Sequence, residues 1–285
     1  MKTLLTFLLS FALLQGIAQA APQSKSTTAD TLHAQPVPTT HQRPASSGTA
    51  QHEPYKKNTV KINLSSLVFN NYSFSYERSF NRKFSLVAGF SAMPQKKVTS
   101  FPGVDKALDN WLGEDNAFMK DIDAILVGTN ALTGELRYYT GKHPGTRGFY
   151  VSLYGRYTNA NIDYLHEYET NDGVYHIPFD GKLQGIGGGL MIGAQWLIAK
   201  RFTLDWYILG AHYGNTSIDL PARANLSSMT PHEKAGLKRD IEALNEDLDG
   251  KTSLRATVTD QDVDVKGDGP FAGFRGFGIN VGYTF

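Results

Sequence analysis

The sequence from residue 59 onward alternates apolar and polar residues with a period of two. In residues 60–65 the even positions are apolar and the odd positions polar, and Tyr72, Phe74 and Tyr76 continue the pattern. Because successive side chains of a β-strand point to opposite faces, each run predicts a strand with one apolar and one polar or small face. Eight runs predict an all-β fold with strands at about residues 59–65, 72–77, 84–91, 131–140, 148–158, 184–198, 201–212 and 270–285.

The connections between these runs alternate between short and long. Short turns are expected near residues 81–83, 141–145 and 199–201, and long loops at about 94–130, 159–183 and 213–269. The first connection on the long-loop side, near residues 70–71, is also short. Outer-membrane barrels combine short periplasmic turns with long external loops. The pattern therefore predicts an eight-stranded antiparallel up-and-down transmembrane β-barrel with partly helical external loops, spanning residues 58–285.

Composition excludes several other classes of protein. The chain has 28 basic and 27 acidic residues, so no nucleic-acid partner is expected. It has no cysteine, which excludes disulfides, thiolate metal sites and a cysteine nucleophile. Past residue 20 no apolar run approaches the roughly 18 residues that a membrane helix needs.

The first 57 residues differ from the rest of the chain. Lys2, an apolar stretch over residues 4–14 and Ala18-Gln19-Ala20 predict a signal peptide at residues 1–20. Residues 21–57 contain five of the twelve prolines among small and polar residues, together with three histidines. This composition predicts a disordered periplasmic tail, although a metal role for its histidines stays open.

Two kinds of barrel differ in which face of the sheet, the apolar or the polar one, is turned to the interior. A lipocalin-like barrel would place its apolar face inside, whereas a membrane barrel points it at lipid. Ionised side chains on a lipid-facing surface cost several kcal/mol, so the polar face is predicted to lie inside. A cluster of charged residues is expected in the periplasmic half of the interior, formed by Lys61, Glu77, Glu135, Arg137 and Asp205. Either a structural plug or a gate or proton path would use such a cluster, and the plug is favoured because eight strands leave no continuous channel.

Aromatic residues on the outward face gather where strands meet the short turns. They predict a girdle at the membrane interface, formed by Phe80, Phe84, Tyr138, Phe149, Trp196, Phe202, Tyr283 and Phe285. In the last run apolar residues alternate up to the final Phe. This pattern predicts the closing-strand signal that is presented to the barrel assembly machinery, formed by Phe277, Ile279, Val281, Tyr283 and Phe285.

A family resemblance rests on Ser75-Tyr76-Glu77-Arg78, Gly134-Glu135-Leu136-Arg137-Tyr138-Tyr139, Gly148-Phe149-Tyr150-Val151, Gly187-Gly188-Gly189-Leu190 and Gln195-Trp196-Leu197. These segments resemble the small eight-stranded OmpA- and OmpX-like barrels. They are more similar still to a group of short Gram-negative outer-membrane barrels of unknown function. The resemblance covers most of residues 59–285. It implies an outer-membrane location and a barrel architecture, and it supplies no catalytic residues.

The long loops contain local signals of their own. Thr230-Pro231-His232-Glu233 is a capping box that predicts a helix, and Leu237, Ile241, Leu244 and Leu248 form its apolar stripe. Weaker helical stretches are expected at residues 104–112 and 118–126. These stripes would either pack together as an external cap or form a docking surface. A partial calcium-loop pattern at 245–250 has Ala256 at the position of the bidentate Glu, so a helix C-cap at Gly250 is the favoured interpretation.

We expect a non-catalytic protein without cofactor or metal, with a structural, adhesion or surface-docking role through its external loops. Expected partners are outer-membrane lipid and lipopolysaccharide, the assembly machinery, and a surface protein or glycan at the loops. The alternative is an outer-membrane barrel enzyme that acts on lipid A or surface peptides through rim histidines, His166, His176, His212 and His232. Such chemistry would need a histidine within reach of a serine and a carboxylate.

Overall fold

The computed structural model describes residues 55–101, 124–170, 173–247 and 251–285. Within these ranges, nine strands form one antiparallel sheet. Three short or medium helices, α1 (Leu64–Leu67), α2 (Pro231–Glu242) and α3 (Leu244–Asp247), accompany them, with a 3-10 turn at Val98–Ser100. The strands are β1 (Asn58–Asn63), β2 (Tyr72–Ser79), β3 (Phe84–Lys97), β4 (Leu126–Tyr139), β5 (Gly148–Thr170), β6 (Gly173–Ile198), β7 (Phe202–Arg223), β8 (Ser253–Val258) and β9 (Asp262–Thr284).

The sheet closes on itself, because β1 pairs with both β2 and β9. Lys61 lies opposite Ser75 on one side and opposite Gly282 on the other. Eight strands make the wall in chain order, while β8 lies outside the ring and pairs only with the first part of β9. The predicted eight-stranded antiparallel barrel is therefore confirmed, and β8 is an addition that the sequence did not predict.

The half of the barrel next to the short turns has an apolar outside and a polar inside. On β2, Tyr72, Phe74 and Tyr76 are exposed, whereas Glu77 is fully buried. A bulge in β7 preserves this arrangement: Tyr207 lies opposite Gly193, but Leu209 lies opposite Ile192, so one extra residue is accommodated. The bulge changes the strand's parity and keeps apolar side chains on the outside both below and above it.

In the other half of the barrel the two faces exchange polarity. Along β5 the outer face changes from Phe149 and Leu153 to Asn161 and Glu167, while the inner face acquires Ile162. The loop expected at 159–183 is therefore wrong, because β5 and β6 continue as a long hairpin through most of this range. The polar residues there face outward, which is the arrangement of a strand that stands in water.

The expected loops at 94–130 and 213–269 are also shorter than predicted. β3 extends to Lys97 and β4 begins at Leu126, so the helix expected at 118–126 is wrong at residues 124–126, which form a turn and the start of β4. Residues 102–123, with the rest of that helix and the helix expected at 104–112, lie outside the described residues. Likewise β7 extends to Arg223 and β9 begins at Asp262, and the inner faces of both strands are apolar in these extensions.

A helical cap closes this half of the barrel. The predicted helix is present as α2, and both hydrogen-bonded halves of its capping box are formed. Leu237, Ile241 and Leu244 are buried in one core with interior residues such as Ile162 and Val263, and Leu248 lies outside the described residues. The cap and the strand extensions therefore share a single apolar core.

Residues 1–54, and with them the expected signal peptide and most of the expected tail, lie outside the described residues. Tyr55, Lys56 and Lys57 lead into β1 without regular secondary structure. Among the described helices, none has the length and apolar character to cross a membrane.

Candidate functional site

Lys61 is the first member of a buried ionic cluster inside the barrel. Its Nζ lies 2.5 Å from Oε2 of Glu77 and 2.6 Å from Oδ2 of Asp205, and it donates a hydrogen bond of 2.5 Å to Oε1 of Gln195. These residues come from β1, β2, β6 and β7, on inward positions of the alternation. The register of the closed sheet therefore brings together charges that are up to 144 residues apart in the sequence.

Arg137 joins the remaining carboxylates. Its guanidinium lies 2.7 Å from Glu135, 2.8 Å from Asp205 and 3.8 Å from Glu77. All five residues predicted for the interior cluster are thus brought together, and each is at least nine-tenths buried. Opposite charges compensate one another here, as buried charges must.

Arg275 also belongs to the cluster and was missed by the sequence analysis. Its Nη1 lies 3.3 Å from Oε1 of Glu135. Strict alternation along β9, counted from the exposed Phe277, would place Arg275 outside. Phe277 instead has a positive φ of 49°, and the local change in backbone direction turns Arg275 inward.

Tyrosines complete the hydrogen bonding of the carboxylates. Tyr139 donates to Oε1 of Glu77 at 2.7 Å, and Tyr150 donates to Oδ1 of Asp205 at 2.8 Å. The guanidinium of Arg137 lies 4.3 Å from the centre of the Tyr150 ring. Both tyrosines were missed, because an apolar-looking aromatic on an inward position gives no sequence signal for an ionic partner.

Glycines make room for these rings. A Cβ at Gly193 would overlap the Tyr150 hydroxyl, and one at Gly278 would overlap the Tyr207 ring. Gly193 on β6 and Gly278 on β9 therefore border a crowded interior. Side chains fill the barrel at this level, which is the arrangement of a plug.

The outward aromatics lie around the barrel near the short turns. All eight residues expected in the girdle are exposed. Their rings contact one another across strands, at 5.0 Å between Phe84 and Tyr138 and 5.9 Å between Phe202 and Tyr283. The five alternating residues of the last run are exposed as well, namely Phe277, Ile279, Val281, Tyr283 and Phe285. They lie in the last part of β9 and just after it, and residues 280–284 of this strand pair with β1 to close the barrel.

The four rim histidines lie on different elements. His166 is buried on β5 with Nδ1 3.2 Å from the Tyr164 hydroxyl. His176 on β6 is exposed, 3.4 Å from Glu167. His212 on β7 lies 3.0 Å from the Tyr154 hydroxyl, and His232 is exposed in the first turn of α2.

The first residue of the partial calcium pattern, Asn245, uses its side-chain amide for hydrogen bonds within the protein. The Asn245 amide accepts a hydrogen bond from the backbone N of Leu254 and donates one to its carbonyl oxygen. Asn245 thereby ties α3 to β8. Residues 248–250 lie outside the described residues. In the described part of the chain, no group of three or more His, Asp and Glu residues is placed to hold a metal ion.

One titratable group of the cap has a clear physical perturbation. The backbone N–H and the hydroxyl of Thr230 donate hydrogen bonds of 2.8 and 2.9 Å to Glu233 Oε2. These bonds favour the ionised form and lower the pKa of Glu233 below its usual 4.5.

A family model matches residues 44–220, from just before β1 to near the end of β7. Its description is "Protein of unknown function (DUF3575)". The chain belongs to this family. The DUF3575 match thus covers most of the barrel wall, the interior cluster except Arg275, and neither α2 nor β9.

Other comparisons add little to the DUF3575 assignment. No curated protein matches the chain. A similar solved structure is the N-terminal β-barrel domain of Pseudomonas aeruginosa OprF, with 10% identity and a TM-score of 0.29, over 81% of this chain and 98% of that one. The specific resemblance to OmpA and OmpX stays a prediction.

Proposed function

We propose that this DUF3575 protein is an outer-membrane β-barrel of a Gram-negative bacterium that anchors an external cap. The role of the cap is structural, adhesive or a docking platform for a surface protein or glycan, and the protein is not an enzyme. The short turns would face the periplasm, and α2, β8 and the strand extensions would stand outside the cell.

The exchange of polarity along the wall carries this proposal. Next to the short turns the outer face is apolar and the charges are buried inside, whereas beyond about residue 159 of β5 the outer face is mostly polar, with Leu165 as the exposed apolar residue. A barrel that is soluble throughout would show one arrangement along its whole length. An apolar outer band followed by a water-facing extension matches a strand that leaves a bilayer.

The interior cluster supports an anchoring role for the barrel. Lys61, Arg137 and their carboxylates are paired with one another and packed under Tyr139 and Tyr150. An ion crossing this level would have to break several buried ion pairs at once. A plugged barrel is therefore proposed, not a gate or proton path.

Migration on a gel tests the architecture. The unboiled full chain, extracted in mild detergent, should run faster than the boiled chain, because a closed barrel resists unfolding by the gel detergent. Identical migration of the two samples would contradict a stable membrane barrel.

Labelling of intact cells tests the orientation. Because the chain has no cysteine, an introduced cysteine is its single reactive thiol. Cysteine at Lys238 on the exposed face of α2 should react with an impermeant maleimide, and cysteine at Lys142 in a short turn should react only after lysis. The reverse pattern would contradict the proposed topology.

A further inference from the structure

Charge is sorted between the two ends of the barrel. Among the described residues, the segment that leads into β1 and the three short turns with the adjoining strand ends carry nine lysine and arginine residues, and no Asp or Glu side chain. Every acidic residue among the described ones lies either in the interior cluster or at the cap end, where both signs are mixed. We call the nine residues the basic rim: Lys56, Lys57, Arg78, Arg82, Lys83, Lys142, Arg147, Lys200 and Arg201.

The basic rim lies at the level of the outward aromatics. Lys83 Nζ lies 5.7 Å from the centre of the Tyr138 ring, and Arg201 donates a hydrogen bond of 2.9 Å to the Tyr283 hydroxyl. Aromatic girdles mark the interface between hydrocarbon and headgroups. The rim cations therefore stand at the depth of lipid phosphates.

From this geometry we propose that the basic rim binds anionic phospholipid of the leaflet at the short-turn end. The inference rests on the proposed membrane location. Charge complementarity selects the ligand, since each lysine or arginine near a surface of anionic lipid adds attraction and arginine pairs well with phosphate. Neutral phospholipid would gain much less from these nine cations, near which the described residues place no acidic side chain outside the interior cluster.

A groove next to Arg78 offers a place for the lipid tail. It has a volume of about 690 Å³ and runs over the outer face of β2–β5, with Leu86 and Leu153 among its apolar walls. Gly134 forms part of its floor, and a Cβ there would meet no atom within 4 Å. Packing inside the barrel thus gives no reason for glycine, whereas an acyl chain lying in the groove would.

The test measures lipid selectivity of the full chain in nanodiscs of equal phosphatidylcholine and phosphatidylglycerol. Lipids that stay bound after transfer to detergent are counted by native mass spectrometry. We expect enrichment of phosphatidylglycerol, and a fall of about fivefold or more in the triple variant Arg78→Gln, Lys83→Gln, Lys142→Gln. A matched triple at the cap end, Lys182→Gln, Arg223→Gln, Arg255→Gln, should keep the enrichment.

Several outcomes would overturn the proposal. These are no enrichment by a chain that shows heat-modifiable migration, equal loss in both triples, or enrichment that the rim triple keeps. Selective binding of soluble polyglutamate without lipid enrichment would instead indicate a carboxylate-rich polymer. Loss of heat-modifiable migration by the unaltered chain would contradict the membrane barrel itself.

A pair of glycine variants tests the groove independently of charge. Gly134→Val fills the groove and should lower the number of retained lipids, while Gly188→Val on the neighbouring outer surface should not. Both should keep heat-modifiable migration, because a Cβ at Gly188 has only an ordinary 3.5 Å contact with a backbone oxygen. Equal retention in the two variants would overturn the groove as the seat of the tail.

Discussion

Arg137 shows how a single residue organises the barrel interior. Its guanidinium reaches three carboxylates from three strands and covers the Tyr150 ring. The alternating pattern predicted that this residue faces inward. The need to pair buried charges predicted that carboxylates would lie next to it. The identity of each partner depended on register between strands, which no local pattern contains.

Removing one member of this cluster leaves its partners buried and unpaired. Arg137→Met and Glu77→Gln should each lower the free energy of unfolding, by about 3–5 kcal/mol for the loss of a buried partner. Urea titration of the folded barrel in detergent measures this, with the exposed Lys182→Met as control. Neither variant should conduct ions in a planar bilayer, because Tyr139, Tyr150 and Tyr207 still fill the interior. Steady conductance would contradict the plug.

At the scale of elements, local sequence predicted the beginning of α2 but not the ends of the strands. The Thr230 capping box is local, because all its hydrogen bonds join residues three apart. The signal for the extension of β5 and β6 is not local. The polar outward residues there are typical of a loop, and only pairing with the partner strand shows that they belong to a strand. Helix ends are encoded nearby, whereas strand length is decided by pairing.

The capping box makes the start of α2 sensitive to acid. The pKa of Glu233 is lowered in the folded cap, so its contribution to stability is present above pH 4.5 and is lost as pH falls through the lower folded value. Hydrogen exchange of the first-turn amides of α2 should therefore accelerate, beyond the intrinsic rate, as the pH falls below 4.5. Thr230→Ala should open the turn about fivefold more often even at neutral pH. It should also weaken the acid response, because it removes the hydrogen bond from the hydroxyl to Glu233 and leaves the one from the backbone N–H. An unchanged response would contradict this account.

At the scale of the whole molecule, two environments meet in one barrel. The short-turn half has an ionic interior and an apolar outside, and the cap half has an apolar interior and a polar outside. The cap is part of the second half, since Leu237, Ile241 and Leu254 lie in the same core as the inner faces of the extended strands.

Removing the cap should therefore loosen one half and spare the other. Replacing residues 227–258 with a short Gly/Ser turn removes the buried leucines, each of which contributes about 1.5–3 kcal/mol through burial. Hydrogen exchange should accelerate in β5 beyond residue 159 and in the stretch of β6 that pairs with it, residues 173–184, while amides around Arg137 keep their protection. Lys238→Ala, on the exposed face of α2, should change neither region. Uniform acceleration along β5 would contradict two separable halves.

The sequence by itself determined which residues share a face, because a strand turns successive side chains to opposite sides whatever its neighbours are. It therefore specified the barrel class, the inward set from Lys61 to Asp205 and the outward aromatics. Tertiary structure alone decided where the wall passes from one medium to the other, the inward turn of Arg275 next to the positive φ of Phe277, and the pairing of β8 with β9. Those features depend on contacts between distant segments, and a period of two is the same in lipid, in water and on either side of a bulge.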